Sequence, residues 1–312
     1  MTPTIALLLG LVLLFFGGEL LVRGSVALAL KMRISTLVVG MTVVSFATSA
    51  PELIVSIKAA LNGYPDLALG NVVGSNIANL AFVLGITLLI AKIDVQKSFF
   101  TINWPVMIIA SLLLYFFLLN DYVISTIEGV FLFLFLIIFL IYLLKFQKQV
   151  VEEDLSEDII SLSKLKTLVF LIIGSVGLWG GSEFLIKGAT NLALDFGVSE
   201  RIIGITVVSV GTSIPELAAS IIAVLKKEKA ISLGNLVGSN IFNILAVVGI
   251  TSIITPITAS DSTLYTHDVY WMLGVSLLLP MLVFMPKKMQ LDKKSGILLL
   301  LLYGVFLYQT IS

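Results

Sequence analysis

The chain has 312 residues, 58% hydrophobic and 12% charged, with a formal net charge of zero. A soluble domain carries about 25% charged residues, so this composition, with a mean hydropathy of +1.11, excludes a soluble globular protein, and its neutrality argues against a nucleic-acid surface. The absence of cysteine and the single histidine, His267, exclude disulfides, thiolate chemistry and histidine-rich metal sites.

Apolar runs of about 20 residues, enough to cross a hydrocarbon core of roughly 30 Å, recur along the chain. In order, they predict spans near 3–22, 35–62, 67–91, 101–119, 123–144, 166–186, 199–225, 230–257, 268–286 and 295–311. Met1-Thr2-Pro3-Thr4 lacks the basic region of a signal peptide, so the first run reads as a spanning helix. The segment 146–165 is strongly polar, with Lys148, Glu152, Glu153, Asp154, Glu157, Asp158 and Lys164. Its acids read as a solvated charge run rather than a regulatory calcium site. It separates an N-terminal unit, 1–145, from a C-terminal unit, 166–312, each with five spans. The expected fold class is all-α integral membrane. With an outside N-terminus, all but three of the 19 basic residues fall in inside loops, the exceptions being Lys58, Lys187 and Arg201. Both termini are therefore expected outside the cell membrane and the linker in the cytoplasm.

The two units repeat one another. Gly40-Met41-Thr42-Val43-Val44-Ser45-Phe46-Ala47-Thr48-Ser49-Ala50-Pro51-Glu52-Leu53 lies over Gly204-Ile205-Thr206-Val207-Val208-Ser209-Val210-Gly211-Thr212-Ser213-Ile214-Pro215-Glu216-Leu217, an offset of 216 − 52 = 164. Gly70-Asn71-Val72-Val73-Gly74-Ser75-Asn76-Ile77-Ala78-Asn79 lies over Gly234-Asn235-Leu236-Val237-Gly238-Ser239-Asn240-Ile241-Phe242-Asn243 at 234 − 70 = 164 again. Glu19 and Arg23 align with Glu183 and Lys187 at the same offset. Such self-similarity marks an internal duplication. Five spans per copy is an odd number, so the second copy enters from the opposite face. Inverted repeats are a transporter architecture with the site near the midplane.

Glu52 and Glu216 fall near the middle of their spans, where a carboxylate costs roughly 2.5–3.5 kcal/mol on insertion scales. A bound cation offsets that cost. Pro51 and Pro215 cannot donate to the carbonyls of Ala47 and Gly211, so each helix is expected to kink or break and free backbone oxygens there. Irregular backbone at this depth is tolerated where it lines a cavity. Thr48 and Ser49 share a face with Glu52, as do Thr212 and Ser213 with Glu216. Asn71, Ser75 and Asn79 form one polar stripe, and Asn235, Ser239 and Asn243 its match. These donors are all oxygen, which suits hard cations such as calcium or sodium rather than soft metals.

Plainer readings stand beside these. Gly70-x-x-x-Gly74 and Gly234-x-x-x-Gly238 serve packing, access to a site, or both. An isolated membrane Ser or Thr usually bonds back to its own helix. Glu19/Arg23 and Glu183/Lys187 read as i, i+4 ion pairs near helix ends, and His267 as a surface residue.

The paired signatures Ala47-Thr48-Ser49-Ala50-Pro51-Glu52 and Gly211-Thr212-Ser213-Ile214-Pro215-Glu216, each followed by Gly-Asn-x-x-Gly-Ser-Asn, resemble the two alpha-repeats of the sodium/calcium exchanger family, here at about 40–85 and 204–249. The resemblance covers nearly the whole chain. It implies an antiporter in which sodium entry drives calcium extrusion by alternating access, with no cofactor and with sodium, calcium and the lipid bilayer as partners; the oligomeric state stays open. It also implies that Glu52 and Glu216 ligate calcium with the carbonyls of Thr48 and Thr212. Ser49, Ser75, Ser213 and Ser239 would complete flanking sodium sites with the carbonyls of Ser45 and Ser209. Asn79 and Asn243 would line the centre. Some family members carry aspartate at one of these last two positions; both are Asn here, which leaves sodium number, any protonation step and any potassium requirement open. The alternatives are a proton- or potassium-coupled exchanger and, less in keeping with small oxygen donors, an organic-solute carrier. An intramembrane enzyme would need a nucleophile–base pair that the sequence does not display.

Overall fold

The computed structural model describes residues 2–146, 162–196, 211–284 and 289–311. Most of the polar linker, the first part of the seventh expected span, Arg201 and Ser209 lie outside the described residues. Within them the chain is helical apart from turns and four two-residue strands.

Helices α1 (Pro3–Met32), α2 (Thr36–Leu61), α3 (Pro65–Ile90), α4 (Phe99–Asp121) and α5 (Thr126–Phe146) build the first half. Helices α6 (Lys164–Asp195), α8 (Lys229–Ile254) and α9 (Leu264–Phe284) belong to the second. These eight are long and apolar enough to cross a membrane. Two further apolar helices, α7 (Ile214–Leu225) and α10 (Lys293–Ile311), stand where the seventh and tenth spans are expected. A 26-residue helix such as α3 is about 39 Å long.

The helices run past the apolar runs that predict them. The first was expected to end near 22, yet α1 continues through Arg23 and Lys31 to an Arg33 cap in the left-handed region. Charge ends a hydropathy run but does not interrupt backbone hydrogen bonding. Several helices also carry a π turn, at Gly40–Val44, Ala78–Val83, Phe99–Asn103, Asn243–Val248 and Leu264–Asp268. None was legible in the sequence, because one extra residue per turn leaves hydropathy unchanged.

The two prolines sit differently in their helices. Pro215 lies in the first turn of α7, after a turn at Thr212 and Ser213. Pro51, by contrast, lies inside a continuous helix from Ser45 to Leu61. One missing donor removes a single bond, and the neighbouring bonds keep the helix intact.

The halves interlock. Strand β1 (Ile93–Asp94) pairs antiparallel with β4 (Gln290–Leu291), and β2 (Val123–Ile124) with β3 (Ile257–Thr258). Helix α4 runs from the β1/β4 ribbon to the β2/β3 ribbon, while its repeat counterpart α9 runs back the other way. Helix α5 meets α8 at Gly129 and Gly249, and α10 meets α3 at Gly296 and Gly85.

The tightest seam joins α1 to α6, antiparallel. Gly10, Gly17 and Gly24 recur every seven residues, as do their counterparts Gly174, Gly181 and Gly188. A Cβ on Gly17 would lie 2.7 Å from the Leu178 nitrogen, and one on Gly181 2.8 Å from that of Leu14. Small residues let two membrane helices approach this closely, and the gain is van der Waals packing rather than the hydrophobic effect. Gly180, one residue along, faces open space. Gly181→Leu is therefore expected to lower the detergent melting temperature by roughly 2–10 °C, equivalent to about 1–3 kcal/mol of overpacking. Gly180→Leu should leave it unchanged in the same thermal-unfolding measurement.

Candidate ion-binding site

Glu52 on α2 and Glu216 in the first turn of α7 are both 0% exposed. They come from equivalent positions of the two halves, and Thr48, one turn before Glu52, lies 3.3 Å from Ser239 of α8. Neither pair of carboxylate oxygens has a hydrogen-bond partner. Thr48, Ser49 and Ser239 lie around the Glu216 carboxylate.

The flanking helices hold these residues through bonds repeated across the halves. Asn71 Nδ2 donates to the Glu52 carbonyl at 3.3 Å and to Ser56 Oγ at 3.0 Å. Asn235 Nδ2 donates to the Glu216 carbonyl at 3.5 Å and to Ser220 Oγ at 3.2 Å. Thr48 Oγ1 and Ser239 Oγ are 3.3 Å apart, and so are their counterparts Thr212 Oγ1 and Ser75 Oγ. Each half thus completes the other's site.

Of the residues singled out by sequence, the structure brings together Glu52, Glu216, Thr48, Thr212, Ser49, Ser213, Ser75, Ser239, Asn79 and Asn243 on α2, α3, α7 and α8 and the turn before α7. Thr212 borders a cavity and the others are buried. Ser49 Oγ, Ser213 Oγ, Asn243 Oδ1 and both side-chain polar atoms of Asn79 have no partner. Ser45 is buried just beyond; its hydroxyl donates to the Gly40 carbonyl at 2.8 Å and to the Asn235 carbonyl at 2.9 Å. Ser209 lies outside the described residues. Sequence reasoning missed Asn76, Asn240, Ser56 and Ser220; the 164-residue offset, applied to every polar residue of the motifs, would have found them.

A cavity of about 390 Å³ runs from Asp66 and Thr310 at one face down to Asn71, Ser75 and Thr212. Gly74 lines it, and its counterpart Gly238 is packed, where a Cβ would fall within 2.6 Å of the Met41 Cα.

Two peripheral expectations are corrected. Glu19 does meet Arg23 at 3.9 Å, but its closer partner is Lys226 at 2.8 Å, and Glu183 forms no such pair with Lys187. A helix end from elsewhere in the fold supplied the nearer charge. His267 is part-buried rather than a free surface group, with Nδ1 2.7 Å from Asp268 and Nε2 accepting from Trp271 at 3.1 Å.

Fold and site together define a polytopic helical membrane protein with a buried pair of carboxylates set among hydroxyl and amide groups. The family model described as sodium/calcium exchanger protein matches residues 2–145 and 166–311, and the chain belongs to that family. It is 36% identical to CaxA of Alkalimonas amylolytica over 100% of this chain and 99% of that one. It is 27% identical to the sodium/calcium exchanger MaX1 of Methanosarcina acetivorans over 96% of each. Among solved structures it superposes on the sodium-calcium exchanger NCX_Mj, soaked with zero Na+ and Ca2+, with a TM-score of 0.84, 31% identity and 97% of each chain covered.

Asn235 is fully enclosed, and its Oδ1 also accepts from Thr48 at 3.1 Å, whereas Asn71 borders the cavity. Asn235→Ala should remove the bonds to Thr48, Ser220 and the Glu216 carbonyl from an enclosed position, at about 1–3 kcal/mol. Asn71→Ala admits water and should cost less. Melting temperatures of the two variants, side by side, check the order.

Proposed function

We propose that the protein is a secondary antiporter that exchanges sodium for calcium by alternating access. The observation that carries this reading is the burial of Glu52 and Glu216, both 0% exposed, among the hydroxyls of Thr48, Ser49 and Ser239 from both halves. Two buried carboxylates are tenable as a charged pair when cations sit with them, and bound calcium or sodium would supply that charge. The surrounding hydroxyls and amide oxygens match hard cations.

In this reading Glu52 and Glu216 ligate calcium together with the carbonyls of Thr48 and Thr212. Ser49, Ser75, Ser213 and Ser239, with the carbonyls of Ser45 and Ser209, complete the sodium sites beside it. Asn79 and Asn243 line the centre. A charge of −2 balances one calcium ion or a set of sodium ions, not both together, so the two cargoes compete. Among the described residues no cluster of three or more acidic, histidine or cysteine side chains forms. A site with so few charges suits release as well as capture. If three sodium ions exchange for one calcium, one net charge crosses per cycle, worth about 2.3 kcal/mol per 100 mV.

The same reading has ten spans in two inverted halves, 1–145 and 166–312, joined by the linker 146–165. The opposed directions of α4 and α9 support the inversion. The distribution of Lys and Arg supports termini outside the cell and the linker in the cytoplasm. With that orientation the cavity at Asp66 opens outward.

Calcium-45 uptake into sodium-loaded proteoliposomes tests the proposal. Uptake should require the outward sodium gradient and collapse when sodium is equalised. Glu52→Gln and Glu216→Gln should each slow it by about 100-fold or more, since removing one partner from a buried charged site costs about 3–5 kcal/mol. Uptake that follows a pH gradient and ignores sodium would overturn the coupling, and full exchange by either variant would overturn the site.

A further inference from the structure

Four asparagines, related two by two through the 164-residue offset, meet where α3 and α8 cross. Asn76 and Asn240 are each 1% exposed, and Asn79 and Asn243 are 0% exposed. Asn76 Nδ2 donates to the Asn240 carbonyl at 3.2 Å, and Asn240 Nδ2 donates to the Asn76 carbonyl at 3.1 Å. This crossed pair obeys the symmetry of the repeats.

The next bond breaks it. Asn243 Nδ2 donates to Asn76 Oδ1 at 3.1 Å. Its mirror image would run from Asn79 Nδ2 to Asn240 Oδ1, and both of those atoms are buried without a partner. Asn79 and Asn243 both lie within π turns, Ala78–Val83 and Asn243–Val248. Asn243 is therefore pinned by its nitrogen with its oxygen left over, while Asn79 is held by neither end.

The bond is missing in a conformation whose cavity reaches Ser75 and Thr212 from the Asp66 face. In a carrier of inverted halves, the opposite-facing conformation is the one in which the halves exchange roles. Exchange places the present Asn243–Asn76 arrangement on Asn79 and Asn240. Unpartnered buried amides are costly, so a bond that moves from one pair to the other is favoured over one that is simply lost.

We propose that Asn76 and Asn240 are positioning residues that alternate. Asn76 orients the Asn243 amide while the site opens to the Asp66 face, and Asn240 orients the Asn79 amide while it opens to the opposite face. In each state the oriented amide turns its oxygen toward the ions between Glu52 and Glu216. The inference rests on the exchange reading above and adds to it a sidedness that the ion ligands alone do not predict.

Half-saturating calcium is measured at each face separately, in right-side-out and inside-out vesicles, for the unmodified protein, Asn76→Ala, Asn240→Ala, Asn243→Ala and the Asn76→Ala/Asn243→Ala double variant. Asn76→Ala should raise the value at the Asp66 face by about 3- to 10-fold, the worth of one hydrogen bond, and leave the opposite face nearly unchanged. Asn240→Ala should do the reverse. Each variant also removes one crossed bond, but that loss is common to both states and cancels in the comparison of faces. At the Asp66 face, Asn76→Ala should add little to Asn243→Ala, because it acts through that residue. Should Asn76→Ala fail to yield folded protein, Asn76→Ser carries the same comparison. Equal changes at both faces, or additive effects in the double variant, would overturn the proposal and leave Asn76 a packing residue. If those results come with normal exchange by the unmodified protein, the exchange reading survives; absence of sodium-driven exchange in the unmodified protein defeats both.

Discussion

Two carboxylates inside a membrane protein, each without exposed surface, are the constraint on which the rest of the structure depends. Their desolvation has to be offset by polar groups, by bound charge or by protonation. A polar shell has to come from several helices, because one helix offers only a narrow face. The fold meets the demand by crossing its halves, so that Thr48 of one stands beside Ser239 of the other and Thr212 beside Ser75. Asn71 and Asn235 then tie the α3 and α8 helices to the backbone carbonyls of the two glutamates themselves.

The framework around the site is dense in glycine for a related reason. In a bilayer, helix association gains little from apolar burial, so close approach must supply the packing. The seven-residue glycine spacing of α1 and α6 creates a seam where backbones touch. At α8 the same device packs Gly234 and Gly238 against the start of α2. The equivalent glycines of α3, Gly70 and Gly74, line the cavity.

Much of this was legible in residues. The repeat offset of 164, the two Pro-Glu pairs and the paired Gly-Asn-x-x-Gly-Ser-Asn stripes located nearly every side chain that the structure gathers. The spans were legible in position but not in extent, since α1 and α6 continue through charged residues that end a hydropathy run. The π turns were invisible, because a local change of winding leaves no compositional trace. At Pro51 the helix runs on without the break that the proline allowed, because the bonds on either side of it persist.

The sequence by itself determined that the chain is a duplicated helical membrane protein with one acidic, oxygen-rich motif in each half. Those are properties of residue type and spacing, and neither requires knowledge of what packs on what. Only the tertiary structure decided that Gly74 lines a cavity, that Glu19 pairs most closely with Lys226, and that Asn243 is bound while Asn79 is not. The physical reason is the duplication. Two copies of one motif carry nearly the same local information, so only their different contacts in three dimensions can make them unequal.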